Sequence, residues 1–220
     1  MRAMILAAGR GTRMGQLTDE LPKPLIPIGG KTLIEHQIER LRSAGIHELV
    51  INLAYRGAQI RAHLGNGKSL GVSIDYVEEP EDALETGGGI AAALDLLGSE
   101  PFAVANSDVW TNFDFSTLTA PVGAAHLVLV PNPSHNPEGD FCLSNGVIGD
   151  VGESLTFSGI GVYEPALFAG NHPPRFPLAP LLVDAARRRE VSAERFTGCW
   201  IDVGTPARLG LVKDIVRRNK

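Results

Sequence analysis

The chain has 220 residues, 44% apolar, 20% charged and 6% aromatic, a composition that fits one compact domain and excludes collagenous, disordered and membrane-spanning classes. Its formal charge of −5 hides an asymmetry: the 106 residues from Ser69 to Pro174 hold 15 Asp and Glu and no Lys or Arg, so all 20 basic residues lie in the flanks. Nucleic acid is therefore not an expected partner, because tracking its backbone needs several Lys or Arg along the groove. Any phosphate met by the middle of the chain must find a metal, backbone amides or a side chain from the flanks.

Cys142 and Cys199 supply no disulfide framework, and neither sits in a CxxC or beside a His at metal-ligand spacing. The N-terminal MRAMILAAGRG is too short an apolar run for a secretion signal, and no run reaches the roughly 18 apolar residues of a membrane span. A reduced, cytoplasmic protein with no membrane partner is expected. Nothing in the sequence sets an oligomeric state.

In chain order, Ala3 to Ala8 is a continuous apolar run of the kind buried on both faces of a parallel sheet, followed by a glycine-rich loop from Gly9 to Leu21 and by Pro22-Lys23-Pro24. Thr32 with Glu35 predicts a capping box for a helix whose apolar stripe is Leu33, Ile34, Ile38 and Leu41 and whose stop is Gly45. A strand at 49–53, a short helix at 57–64 and a strand at 72–77 follow. Thr86 stands before Gly87-Gly88-Gly89 and a helix with Ile90, Ala93, Leu94 and Leu97 on one face, and 102–105 is a buried strand ending in Asn106-Ser107-Asp108. This alternation of strands and helices implies right-handed crossovers and a mostly parallel sheet. Beyond Trp110 the pattern changes to strands at 125–130, 141–143 and 155–162, read as antiparallel additions, with closing helices at 178–190 and 206–218.

Three patterns carry chemistry. Glycines after a buried strand, in Gly9-Arg10-Gly11-Thr12-Arg13, let backbone amides approach a phosphate, and Arg13 with Lys23 would offset its charge. Met14 stands where a dinucleotide fingerprint needs Gly, and no Gly-Lys-Ser/Thr follows, so neither a Rossmann fingerprint nor a Walker A loop is present. Asp108 lies at the end of a strand, where ligands of parallel sheets gather, and Asp202 is a polar residue in an otherwise apolar strand. The three glycines at 87–89 would each cost a helix roughly 1 kcal/mol relative to Ala, which points to close approach of a ligand.

Taken together, Gly9-x-Gly11-Thr12-Arg13-Met14, Leu17-Thr18, Pro22-Lys23-Pro24, Glu85-Thr86-Gly87-Gly88-Gly89, Asn106-x-Asp108-Val109-Trp110, Thr156-Phe157-Ser158-Gly159-Ile160 and Trp200-Ile201-Asp202-Val203-Gly204-Thr205 resemble the sugar-1-phosphate nucleotidyltransferases over nearly the whole chain. The resemblance implies an α/β, Rossmann-like nucleotidyltransferase fold of the GT-A-like kind, with a central mixed, mostly parallel sheet flanked by helices. It implies one domain, 1–220, with a nucleotide part at about 1–110 and a sugar part at about 111–205. Arg13 and Lys23 are implied as catalytic cations. Ala8, Gly9, Gly11, Thr12, Glu85, Gly88 and Asn106 are implied as nucleotide contacts, and Asp140, Ser158 and Gly159 as sugar contacts. Asp108 and Asp202 are implied as ligands of Mg2+, which suits two carboxylates and several waters.

The Glu-Thr-Gly-Gly-Gly and Asp-Val-Trp forms are most similar to members that uridylylate N-acetylmuramic acid α-1-phosphate in bacterial cell-wall recycling, so the expected substrates are UTP and that sugar 1-phosphate. A hexose- or heptose-1-phosphate enzyme using GTP or dTTP, and a nucleotide-sensing domain without catalysis, are the alternatives. Two departures stand out. Ser107 replaces the glycine usual between the Asn and the Asp, and the segment implied to hold the acceptor phosphate has no Lys or Arg. Either Lys23, Arg13 and the metal serve both phosphates, or Arg175 or His135 reaches in. Trp200 is expected in the core, and His36, His63 and His126 as structural residues.

Overall fold

The computed structural model describes residues 1–170 and 172–218. The first half comprises β1 (Ala3–Leu6), a hairpin of β2 (Pro27–Ile28) and β3 (Lys31–Thr32), α1 (Leu33–Ser43), β4 (Glu48–Leu53), α2 (Gly57–Leu64), β5 (Ser73–Glu78), α3 (Glu85–Ala92), α4 (Leu94–Leu97) and β6 (Phe102–Asn106). The second half comprises β7 (Val109–Thr111), β8 (Ala125–Val130), β9 (Phe141–Ser144), β10 (Val147–Gly149), β11 (Glu153–Tyr163), α5 (Leu178–Arg187), β12 (Val191–Arg195), β13 (Trp200–Asp202) and α6 (Pro206–Arg218).

One nine-stranded sheet, in the order β5-β4-β1-β6-β11-β8-β12-β10-β9, runs through the molecule. The first four strands are parallel, and β11 enters antiparallel to both β6 and β8. The parallel character predicted for the whole sheet is thus concentrated in its first four strands; beyond them only β12 runs parallel to its neighbour β8, while β10 and β9 add antiparallel. The additions at 125–130, 141–144 and 153–163 lie where their alternation placed them. The strand at 191–195 had no separate sequence signal, because five residues with Ser, Glu and Arg among them carry too little apolar alternation.

Successive side chains on a strand point to opposite faces, and both faces of this sheet are covered. Ile5 and Ile51 pack with Ile34, Ile38 and Leu41 of α1 and Ile60 of α2; Met4 and Val50 pack with Ile90 of α3 and Leu178 and Leu182 of α5. The capping box forms as predicted: Thr32 Oγ1 accepts from the Glu35 amide at 3.4 Å, and the Glu35 carboxylate accepts from the Thr32 amide at 2.6 Å. A third cluster joins Met14 to Ile28, Leu33, Val203, Leu209 and Val212, so the early loop is pinned against α6.

Two local features refine the pattern. The predicted loop after β1 contains tight 3-10 turns over Thr12–Thr18. The helix predicted after the glycines begins earlier, at Glu85 with Leu84 before it, so Thr86 and the three glycines lie inside it.

Candidate active site

The loop after β1 and the carboxyl ends of β4 and β6 enclose a cleft of about 390 Å³. Ala8, Gly9, Gly11, Thr12, Arg13, Lys23, Glu85, Asn106 and Asp108 all line it, so most of the residues predicted for the nucleotide converge there. Gly11 has φ +67°, and a Cβ there would stand 3.1 Å from Lys23 Cβ, so its bare backbone lets the lysine pass beneath the loop. Lys23 is buried, with its side chain only 9% exposed, and its ammonium meets the Asp108 carboxylate. A buried ammonium needs such a counter-charge, because desolvation of an unpaired one is prohibitive.

A second cavity of about 270 Å³ adjoins the first and shares Arg13, Asn106 and Asp108 with it. Its other walls come from β11, Trp200 and Asp202 of β13, and His135 and Asn136 of the proline-rich loop. The pairing of β11 with β8 slips between Phe157 and Ile160, which turns Ser158 and Gly159 out of the ladder and into this cavity. Gly159 has φ +79°, and a Cβ on it would come within 2.5 Å of Asn106 Nδ2. Ser158 is buried; its hydroxyl accepts from the Ile160 amide at 3.2 Å and its carbonyl accepts from Trp200 Nε1 at 2.9 Å. Trp200, expected in the core, is half-buried: it packs on the core and also lines this cavity.

Asp108 and Asp202 are far apart in sequence and adjacent in space. A separate two-stranded sheet pairs β7 with β13 so that Asp202 faces Val109, and the Val203 amide donates to the Asp108 carbonyl at 2.9 Å. Asp202 is in turn paired with Arg208 at 3.2 Å. Each carboxylate thus already accommodates a cationic partner. Two hard oxygen donors at the junction of the cavities fit Mg2+, which takes one or two protein carboxylates and completes its shell with water and phosphate. Among the described residues there is no group of three or more His, Cys, Asp or Glu suited to a metal cage.

Two predicted contacts are corrected. Gly88 is buried away from the cleft: a Cβ there would overlap the carbonyl of Pro174, so the close approach inferred from the glycines is made by the chain's own 174–176 segment. Gly87 faces Phe176 and Gly89 faces Glu79 in the same way. Asp140 is not among the residues lining the second cavity. Its carboxylate accepts from the Phe157 amide at 2.8 Å and from Asn136 Nδ2 at 3.1 Å, so it holds the cavity wall from behind.

Of the candidates for an extra cation, Arg175 is engaged at the mouth of the first cleft by Glu85 at 3.2 Å and Asp82 at 3.6 Å. His135 does line the second cavity, 3.7 Å from Asp202. His36, His63 and His126 bond to Ile28 O at 2.8 Å, Glu35 at 3.3 Å and Ser192 at 2.8 Å respectively, in keeping with structural roles.

Three residues of the site escaped sequence reasoning. Asn52, buried at the end of β4, accepts from the Ala7 amide at 2.7 Å and donates to Glu79 at 2.7 Å, and Glu79 accepts from the Leu84 amide at 2.8 Å. This chain of bonds fixes the inner wall of the first cleft and ties the β1 loop to the start of α3. A polar residue in an apolar strand was the available signal, the same one that exposed Asp202. Arg208 is the third.

The family model described as Nucleotidyl transferase matches residues 2–139. The N-acetylmuramate alpha-1-phosphate uridylyltransferase of Neisseria meningitidis serogroup B is 49% identical over 95% of this chain and 95% of its own length. The enzyme of the same name from Caulobacter vibrioides is 35% identical, over 93% of this chain and 92% of its own. A Bacillus anthracis structure described as a glucose-1-phosphate thymidylyltransferase in complex with sucrose superposes with a TM-score of 0.89 at 22% identity, covering 99% of this chain and 95% of that one. A UDP-glucose pyrophosphorylase complexed with UDP-glucose gives 0.77 at 18% identity, covering 100% and 99%. The solved structures establish the shared fold, and the extent of the sequence matches establishes descent: this chain belongs to the sugar-1-phosphate nucleotidyltransferases.

Proposed function

We propose that the chain transfers a uridylyl group from UTP to N-acetylmuramic acid α-1-phosphate, releasing pyrophosphate, in the recycling of bacterial cell wall in the cytoplasm. The observation that carries this reading is the junction of the two cavities, where Arg13, Asn106 and Asp108 belong to both. A nucleoside triphosphate in the first cleft and a sugar 1-phosphate in the second would bring their phosphates together at that junction. The names of the relatives at 49% and 35% identity supply the choice of uridylyl group and of N-acetylmuramate.

An oxygen of the acceptor phosphate is already anionic, so its attack on the α-phosphorus needs no general base. The new P–O bond forms as the bond to the β-phosphate oxygen breaks, and pyrophosphate leaves with that electron pair. Arg13 and Lys23 neutralise and steady the triphosphate, and the amides of Gly9 and Gly11 approach its phosphates; phosphoryl-type transfer depends on this positioning and charge. Asp108 and Asp202 would hold Mg2+, which when bound polarises phosphate oxygens and offsets charge on the leaving group. Lys23 pairs with Asp108 in the ligand-free protein and would turn its ammonium to a phosphate once that carboxylate is engaged by the metal.

Pyrophosphate release across a panel of UTP, GTP and dTTP with N-acetylmuramic acid, glucose, mannose and heptose 1-phosphates tests the assignment. Turnover is expected with UTP and N-acetylmuramic acid 1-phosphate. Turnover confined to GTP or dTTP with another sugar would replace the substrates, and nucleotide binding without turnover of any pair would replace the enzyme with a sensor.

A further inference from the structure

The acceptor phosphate still lacks a cation of its own: the walls contributed by residues 69–174 hold no Lys or Arg, Arg13 lines both cavities and is already assigned to the triphosphate, Lys23 belongs to the first cleft, and Arg175 is engaged at the mouth of that cleft. We propose that Arg208 of α6 receives the 1-phosphate of the acceptor sugar. The proposal rests on the transferase reading above, but on the phosphate of the acceptor and not on the identity of its sugar.

Arg208 stands directly behind two residues that line the second cavity. Its Nη1 donates to His135 Nε2 at 2.7 Å and its Nη2 lies 3.2 Å from Asp202, and both partners line that cavity. Because an arginine can only donate, the His135 Nε2 in this contact is an acceptor and balances no charge. Among the described residues Asp202 is the one carboxylate on the guanidinium, and it is also the residue assigned to the metal. The Arg208 side chain is only 15% exposed, and its Nε is buried without a partner among the described residues. Once Asp202 turns to a divalent cation, Arg208 is a largely buried cation in need of another anion.

Two features show that this placement is built. Gly204 leaves open the space that a Cβ would take from the Arg208 guanidinium, and the same point lies 3.1 Å from Arg13 Nη2 and 3.1 Å from Asp202 Oδ1. The absent side chain thus lets two guanidinium groups and a carboxylate converge beside the junction of the cavities. Arg208 is also the third residue of α6, in a first turn that holds no acidic residue. The helix macrodipole disfavours a cation there, so stability of the helix is not what selects it.

The test is calorimetry on the full chain with saturating Mg2+ and a non-hydrolysable UTP analogue, titrating N-acetylmuramic acid 1-phosphate into wild type, Arg208→Ala and Arg208→Lys. Loss of a charged hydrogen-bonding group should weaken acceptor binding by about 10- to 100-fold in Arg208→Ala while leaving the Kd of the analogue within about threefold. Arg208→Lys should show a smaller loss, and it keeps the comparison readable should the alanine variant fail to fold. Mn2+ binding without nucleotide, followed by electron paramagnetic resonance, should tighten in Arg208→Ala because a competing cation has left Asp202. A purely structural role in holding Asp202 would instead weaken it. An unchanged acceptor Kd, an equal loss for acceptor and analogue, or weaker Mn2+ binding would each overturn the proposal. If wild type binds a different sugar 1-phosphate and not N-acetylmuramic acid 1-phosphate, the acceptor assignment fails; the same comparison with that sugar then supports Arg208 by a selective loss or overturns it by none.

Discussion

Substituting Gly88 with Ala separates two meanings of the triple glycine. Inside a helix the change should stabilise by about 1 kcal/mol through propensity alone. Here the new methyl would overlap the Pro174 carbonyl, stand 3.0 Å from Leu84 Cβ and 3.4 Å from Arg175 Cα. Two of these neighbours are backbone, and that backbone is fastened to α3 by the Gly88 amide donating to Phe176 O at 3.0 Å and the Phe176 amide donating to Leu84 O at 3.2 Å. Overpacking of this kind costs about 1–3 kcal/mol, and loosening the two bonds adds about 1 kcal/mol each. Against the propensity gain of about 1 kcal/mol, Gly88→Ala should destabilise the ligand-free protein by about 2–4 kcal/mol, with the melting temperature falling by about 2–4 °C per kcal/mol. Urea and thermal unfolding without ligand measure this. Nucleotide affinity should fall as a secondary effect, because Glu85 and Thr86 line the cleft from the same helix. A ligand-free variant as stable as wild type, with only nucleotide binding impaired, would refute the packing argument and return the glycines to a ligand.

Asp108→Ala should reduce pyrophosphate release by at least about 100-fold and also destabilise the ligand-free protein by about 1–3 kcal/mol, because it strips the buried Lys23 of its counter-charge; adding Lys23→Met should restore much of the stability and none of the activity. Tyr163→Phe should stabilise by about 1 kcal/mol in chemical denaturation, since the Tyr163 hydroxyl is fully buried with no partner among the described residues, and burial has pushed its pKa upward. Burial alone would raise the pKa of Glu35, but hydrogen bonds from the Thr32 amide and hydroxyl and the neighbouring His63 outweigh it and hold the carboxylate below its ordinary 4.5. Its contribution is therefore complete above about pH 4.5 and is lost as the pH falls through the lowered folded value, so acid unfolding should be less steep in Glu35→Gln, and an identical pH profile would contradict the capping role.

Local signals were legible in the sequence, and signals that depend on distant pairing were not. The run from Ala3, the Thr32–Glu35 box and the strands β4 and β6 follow from composition and period within a few residues. That Gly9, Gly11, Thr12, Arg13, Lys23 and Asp108 line one cleft was legible because the phosphate site proposed for them needs bare backbone and neutralising charge from those residue types. Gly88 misled because a glycine records close approach without recording of what. Asp140 misled because a carboxylate that binds a backbone amide looks, in one dimension, like one that binds a sugar. Arg208 went unnoticed although the helix dipole makes a cation in the first turn of a helix out of place.

The pairing of β7 with β13, and the contact of Met14 with Val203, Leu209 and Val212, bear on how the protein comes into being. The early loop and Asp108 are translated long before their partners, and closing such distant contacts is slow because chain entropy must be lost first. On the ribosome the parallel strands β1, β4, β5 and β6 can assemble while residues 200–212 are still unmade. During that interval Asp108 lacks its β13 neighbour, and the second cavity lacks Trp200 and Asp202. Nascent chains should consequently be unable to consume substrate, and competence should arrive in a single late step, when α6 docks.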